Sequence, residues 1–515
     1  MPEREVAAKT VAAIDVGSNA LRMVIAEVAP DGRIEILERL QRAVRLGQDT
    51  FRRGRLGGQV MRAAVAVFRD YKQMLDLYRV ETLRAVATTA VREAVNVDTF
   101  LDRVFMATGL HVEVIGTSEE SRLTVSAVRE AVGGALGVDR DQALIADVGG
   151  GSTLLTVLED GEIAHSQSLR LGAIRLQELL LTSEEPPERS AHLLRHQIEK
   201  VVSTVRASLP LKNIRSFVAV GGDARFAARQ IGKPTASAEL STVEVDEFNK
   251  LVRRIERHSA EELSKRYGLP FAEVETLIPA LLVYQELLDE TRSEQMIVSN
   301  VSMRDGLLLE LARQVTGTED DSLSEGVIHS ALAVAEKYRV DLGHARNVAE
   351  LSLRLFDALE ADHGLGRRQR LLLRVAGLLH EAGAFIGAPA HHKHSYYLII
   401  HSEIFGLNRA EIEIVAQVAR YHRRSAPKPS HVQYASLPRE SRVVINKLAA
   451  ILRVADALSR GPLYQSDDLR FERHGDELTI YIPGVGDLGL EKRAMADKGD
   501  LFEDIYGMRI RLEEA

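Results

Sequence analysis

The stretch AAIDVGSNALRMVIAEV, residues 12–28, runs from a short apolar segment into an Asp, a Gly and a hydroxyl residue, and then into a second apolar segment. ALIADVGGGSTLLTVLE, residues 143–159, does the same. The pattern predicts strand–turn–strand, with a tight turn that glycine permits and whose backbone N–H groups suit phosphate oxygens. The Asp in each turn, Asp15 and Asp147, supplies a carboxylate able to hold a hydrated Mg²⁺ or to orient water. Taken alone, either stretch reads as an ordinary Asx turn between strands. The pair, each opening a similar half, points to two related lobes clamping one phosphate chain.

A chain of 515 residues predicts several domains with sizeable cores. Its 45% hydrophobic and 27% charged residues are those of a globular protein. The absence of cysteine excludes disulfides, thiolate catalysis and Cys-ligated zinc. No opening apolar run suits a signal peptide and none approaches the ~20 residues of a membrane span, so a cytoplasmic protein without a membrane partner is expected. A net charge of −8 speaks against a general nucleic-acid binder.

Strand-like and helix-like patterns alternate through about residue 310, as in VETLRAVATTAVREA and SFVAVGGDARFAARQI, which predicts α/β lobes. TGTEDDSLSEG, residues 316–326, reads as a linker or surface loop. From about 327 apolar residues recur at helical spacing, as in RLLLRVAGLLHEAG, and strand character returns from about 466.

The set IDVGSNALRM, ATTAVREA, EVIGTSEESRL, IADVGGGS, SLRLGAIRL, VAVGGDARFAA and SMRDGLL closely resembles the exopolyphosphatase / guanosine pentaphosphate phosphohydrolase family. YRVDLGHARNVAELSLRLF, AGLLHEAGAFIG, HHKHSYYLII, VARYHRRSAPKPSH and LAAILRVADALSRG extend the resemblance to the longer members. The resemblance implies an α/β fold of two ribonuclease H-like lobes of the actin, Hsp70 and sugar kinase superfold, residues 1–127 and 128–312. An all-α HD-like domain, 313–465, and a small α+β C-terminal segment, 466–515, are expected to follow. It also implies a homodimer, with the C-terminal half extending the path of a long polyanion.

Phosphoanhydride hydrolysis needs charge neutralisation, donors for non-bridging oxygens and a group that activates water. Gly17, Ser18 and Asn19 in one lobe and Gly149, Gly150, Gly151 and Ser152 in the other are the candidate donors, and Arg22 and Arg92 can pair with phosphate oxygens. The resemblance implies that Glu120 is the catalytic glutamate, with Asp147 binding the metal or assisting the water. Asp15, Asp147 and Glu120 would then hold Mg²⁺ or Mn²⁺, with a monovalent cation as a further candidate. Glu119 is the fallback one position earlier. Without that context Glu119 and Glu120 read as a solvated helix start, and Arg22 and Arg92 as surface arginines. Many relatives carry Glu where this chain has Leu154, so metal affinity, rate or chain-length preference is expected to differ. Gly221 and Gly222 sit where actin-like folds carry a nucleotide-side glycine loop, and Arg39, Arg42, Arg45, Arg52, Arg53 and Arg55 form a basic run suited to a polyanion.

In the helical half, His344, His380, Glu381 and Asp456 resemble an HD-type metal set, with Glu381 where that motif has Asp. His391, His392, His394, His401 and His422 add imidazoles, and His422, Arg423, Arg424 and Lys428 suit an anion-binding loop. The expected function is exopolyphosphatase: release of terminal orthophosphate from inorganic polyphosphate by metal-assisted water attack, with Glu120 as general base. Two alternatives stand beside it, a guanosine pentaphosphate 5′-phosphohydrolase and a non-catalytic sensor of polyphosphate or a guanosine penta- or tetraphosphate.

Overall fold

The structure is a computed structural model that describes residues 8–132, 142–182, 185–317, 321–423, 425–459, 469–483 and 488–514, the side chains of 162 and 321–323 excepted. Arg424 and the expected boundary at 465/466 lie outside the described residues. The chain forms two compact units, Met1–Asp321 and Ser322–Ala515.

In the first unit the two quoted stretches are antiparallel hairpins. Strands β1 (Lys9–Val16) and β2 (Ala20–Val28) flank the first turn, and β3 (Ile34–Ala43) completes a meander. Strands β4 (Thr82–Ala87) and β5 (Glu113–Val114) then add in parallel, giving the order β3-β2-β1-β4-β5. The second sheet repeats the plan. β6 (Ala143–Val148), β7 (Thr153–Glu159) and β8 (Glu162–Leu169) form the meander. β9 (Ser216–Val220) adds in parallel to β6, and the sheet extends through β12 (Gln295–Ser299) to β11 (Leu240–Glu244) and β10 (Lys233–Pro234). Strands β1 and β6 are buried along nearly their whole length, because helices and loops cover both faces of each sheet. Hence they read as continuous apolar runs rather than alternating ones.

The lobe boundaries drawn at 127/128 and 312/313 fall inside the helices Thr117–Val132 and Met303–Thr316. The second of these packs back on β1, β4 and the helix Thr117–Val132, so the last helix of the unit serves the first sheet. It approaches so closely that a Cβ on Gly306 would stand 2.0 Å from the Leu123 carbonyl oxygen. Gly306→Ala is therefore expected to cost about 1–3 kcal/mol through overpacking. Urea denaturation is the measurement; an unchanged midpoint would mean that the helices part freely.

The linker expected at 316–326 is largely helix. Met303–Thr316 and Asp321–Lys337 reach into it from both sides. The second unit then stacks the helices Leu342–Ala358, Arg367–Leu379, His391–Ile400, Arg409–Arg420 and Arg439–Leu458 around one core. Strands β13 (Arg470–His474), β14 (Glu477–Ile482) and β15 (Arg509–Glu514), with the helices Gly489–Lys498 and Asp500–Tyr506, follow. Ile480, Phe502 and Leu512 join Leu448 and Ile451 in a single apolar cluster, so the C-terminal segment shares the core of the helices.

Candidate active site

Pairing register aims the site. Asp15, next to last in β1, stands opposite Arg22 of β2, and their side chains lie 3.5 Å apart. Asp147 occupies the matching place on β6 but stands opposite Leu154, which is buried. Opposed residues in an antiparallel pair share a face, so a Glu at 154 would stand beside Asp147. The β1–β2 turn is closed by the Gly17 N–H on the Ala20 carbonyl (3.1 Å), and Gly47 N–H holds the Ser18 carbonyl at 2.8 Å. In the second turn the N–H groups of Ala173 and Ile174 take the Gly149 and Gly150 carbonyls, and Arg175 Nε takes that of Gly151 at 2.6 Å.

The two turns meet. A Cβ on Gly151 would lie 2.7 Å from Phe51 and 2.9 Å from Ser18 Oγ, so only glycine allows this approach. Thr89 and Ser152 join their hydroxyls across the lobes at 3.0 Å, and Asn19 Nδ2 donates to the Ala272 carbonyl at 3.1 Å. Around this contact lies a cavity of about 140 Å³ lined by Asp15, Gly17, Ser18, Glu120, Asp147, Gly149, Gly150, Gly151, Ser152 and Arg304. Arg22 and Asn19 line a second cavity of about 310 Å³ that shares Gly149, Gly150 and Arg304 with the first.

Glu119 and Glu120 take different surroundings from adjacent positions in the first turn of Thr117–Val132. Glu119 is buried against Arg122 (2.7 Å) and Arg84 (3.1 Å), which also bind Glu310. Burial opposes its charge, but the two guanidinium groups outweigh it and hold the carboxyl below its usual range. Glu120 instead lines the cavity, bound by Arg92 Nη1, whose guanidinium also donates to the Ile115 carbonyl and Thr89 Oγ1. Burial pushes Glu120 up to about 7 against the pull of Arg92, with Asp147 and Asp15 adding to the rise. Burial likewise pushes Asp147 up to about 6, opposed by Arg225 and by a hydrogen bond from Thr124 Oγ1 at 3.3 Å.

Two arginines join the set without having been singled out in the sequence. Arg304 lies 3.9 Å from Asp15, and burial lowers its guanidinium to about 10. Arg225 lines the larger cavity. Arg304 Nε and Arg225 Nη1 are buried and make no hydrogen bond among the described residues. Both arginines sit within motifs that carry the resemblance, SMRDGLL and VAVGGDARFAA, which was the only available signal. Gly221, with φ of 135°, packs so that a Cβ would lie 2.9 Å from the Tyr284 hydroxyl, while Gly222 lines the larger cavity. Arg39, Arg45 and Arg53 of the basic run face Asp305, Glu275 and Asp49.

In the second unit His344, His380 and Glu381 offer ligand atoms within 4.8 Å of one another. Asp456, fully buried, binds Lys498 and lies 3.8 Å from His344 Nε2. Burial lowers His380 and His422 below the ordinary imidazole range. His401 lies apart against Tyr397, and Arg423 and Lys428 are exposed.

The Ppx/GppA phosphatase family model matches residues 24–315, and the model of domain III of the same phosphatases matches residues 328–481. A guanosine-5′-triphosphate,3′-diphosphate pyrophosphatase of Photobacterium profundum is 24% identical over 88% of this chain and 86% of its own length. The protein of that name from Vibrio vulnificus is 25% identical over 92% and 91%. An exopolyphosphatase crystal structure from Cytophaga hutchinsonii superposes with a TM-score of 0.54 at 21% identity, over 59% of this chain and 98% of that one, a likeness of fold. Among the described residues, no helix is long and apolar enough to cross a membrane.

Proposed function

This chain belongs to the Ppx/GppA phosphatase family, a family of phosphoanhydride hydrolases, and we propose that it removes terminal orthophosphate from inorganic polyphosphate. The observation that carries this reading is one cavity on which Asp15, Glu120 and Asp147 converge from two lobes beside Arg304, whose buried Nε has no partner among the described residues. Buried guanidinium nitrogens favour an anion. Arg22, Arg225, Arg229 and Arg304 line the adjoining cavity, and repeated phosphates reward repeated cations.

In this reading Glu120 takes a proton from the attacking water as its oxygen bonds to the terminal phosphorus. The P–O bond to the rest of the chain breaks, and the bonding pair leaves with the shortened chain. A carboxyl raised towards neutrality suits a base at ordinary pH. Arg92 fixes its orientation, while the arginines and the turn N–H groups meet the phosphate oxygens. The donor set fits a hard cation: three carboxylates share one small cavity, and crowding and burial raise two of them. Asp15, Asp147 and Glu120 would hold Mg²⁺ or Mn²⁺, which supplies charge neutralisation for the phosphate oxygens when bound.

A second reading, removal of the 5′-terminal phosphate of guanosine pentaphosphate, is favoured by the names of the relatives that match nearly the whole chain. Orthophosphate release from long-chain polyphosphate and from guanosine pentaphosphate separates the two. A higher kcat/KM on polyphosphate is expected, and the reverse order would make the nucleotide the substrate. Release from neither would leave binding alone.

A further inference from the structure

The larger cavity of the first unit is not lined by cations alone. It shares Gly149, Gly150 and Arg304 with the carboxylate cavity. Much of its remaining wall comes from two helices. Gly222–Ile231 contributes Asp223, Phe226 and Arg229, at the spacing that puts side chains on one helix face. Phe271–Asp289 contributes Glu273, Thr276 and Leu277 in the same way. The part of the wall common to both cavities is therefore cationic, and the part that is not common brings in two carboxylates.

Asp223 lies in the first turn of its helix, where the helix dipole favours a carboxylate. That accounts for its presence but not for its partners. Arg22, Arg225 and Arg229 share the wall with it, yet among the described residues half-buried Asp223 makes no ion pair. It accepts from Thr276 Oγ1 at 3.3 Å, and the Glu273 carbonyl, at 2.9 Å from the same hydroxyl, competes for that single proton. Burial raises Asp223 to about 6, with Glu273 adding to the rise and Thr276, Arg225 and Arg22 opposing it. The carboxylate is thus ionised above neutral pH and poorly compensated. Each further phosphate of a chain brings a negative charge, and a like charge about 4 Å away weakens binding about fivefold even in water. We propose that Asp223 is a specificity-determining residue, whose carboxylate penalises a phosphate chain that continues past the cationic part of the cavity and so biases the protein towards short polyphosphates. This rests on the polyphosphate reading above and adds chain length to it.

Orthophosphate release by the full-length protein is measured with tripolyphosphate and with long-chain polyphosphate, and the readout is the ratio of the two KM values. Near pH 8, Asp223→Asn is expected to lower the long-chain KM at least threefold more than that for tripolyphosphate. Asp223→Glu, which keeps the charge, should return the ratio towards the wild type. A merely structural loss would raise both KM values alike. The wild type supplies a second measurement that needs no variant. Protonation below about 6 removes the charge, so its ratio should fall between about pH 8 and pH 5, while that of Asp223→Asn stays level. Arg225 and Arg229 on the same helix, Glu273 opposite, Arg22 and Arg304 line the same cavity in both proteins, so the difference between the two profiles belongs to Asp223. A wild-type ratio indifferent to pH, or a folded Asp223→Asn protein with the wild-type ratio, overturns the inference alone. So does an Asp223→Asn protein that loses guanosine pentaphosphate hydrolysis with an unmoved polyphosphate ratio, since the carboxylate would then accept from nucleoside hydroxyls. Release from neither length by the wild type would sink the polyphosphate reading, and this inference with it.

Discussion

Glu120→Gln is expected to lower kcat by roughly three orders of magnitude or more while KM changes little, because proton transfer and orientation of the attacking water act in the transition state. The substitution keeps shape and volume, and a neutral amide in a buried site is no harder to fold than a carboxyl that burial already pushes up to about 7. Loss of activity with unchanged melting would therefore report chemistry rather than collapse. Glu119→Gln makes the contrast. Glu119 is enclosed by Arg84 and Arg122, so neutralising it leaves the buried Arg122 and the half-buried Arg84 short of a partner and is expected to cost stability first. A folded Glu120→Gln protein with near-normal turnover would remove Glu120 from the mechanism. If Glu119→Gln lost kcat without losing stability, the assignment would move one residue back.

That contrast also marks how far the residues could be read before the fold was known. The two glycine turns were legible because their signal is local: an Asp, a Gly and a hydroxyl residue between apolar runs fold into the hairpins of β1–β2 and β6–β7. The different surroundings of Glu119 and Glu120 were not. What encloses Glu119 and leaves Glu120 lining the cavity is Arg84, Arg122 and Glu310, three residues from separate segments whose meeting depends on a helix returning to the first sheet. The same return carries Arg304 to Asp15. A single arginine after Ser-Met has no periodicity or spacing to announce it. In the second unit the histidines were visible in the sequence, but the 3.1 Å approach of His391 to His422 arises from two helix ends brought together, and Lys498 reaches Asp456 from a segment that read as separate.

The largest expected effect on stability concerns pH and the carboxylate cavity. Burial raises Glu120 to about 7 and Asp147 to about 6 in the folded protein. A raised carboxyl binds its proton more tightly folded than unfolded. Its contribution is therefore complete below the unfolded value, near pH 4, and is lost as the pH rises through about 6 to 7. Each displacement corresponds to on the order of 3 kcal/mol. The chelated protein should thus lose Tm between about pH 4 and pH 7, and a Glu120→Gln, Asp147→Asn double variant should lose much less over the same interval. Asp223, raised by burial to about 6, is retained in both proteins, so the difference between them isolates the pair. Mg²⁺ binds only the ionised carboxylates, and the rise in Tm that it produces should grow with pH in the wild type and be small at every pH in the double variant. Melting curves at four pH values, with and without Mg²⁺, measure both slopes. Parallel slopes for wild type and double variant would show that Glu120 and Asp147 are not crowded in solution, and a Mg²⁺ effect independent of pH would place the ion elsewhere.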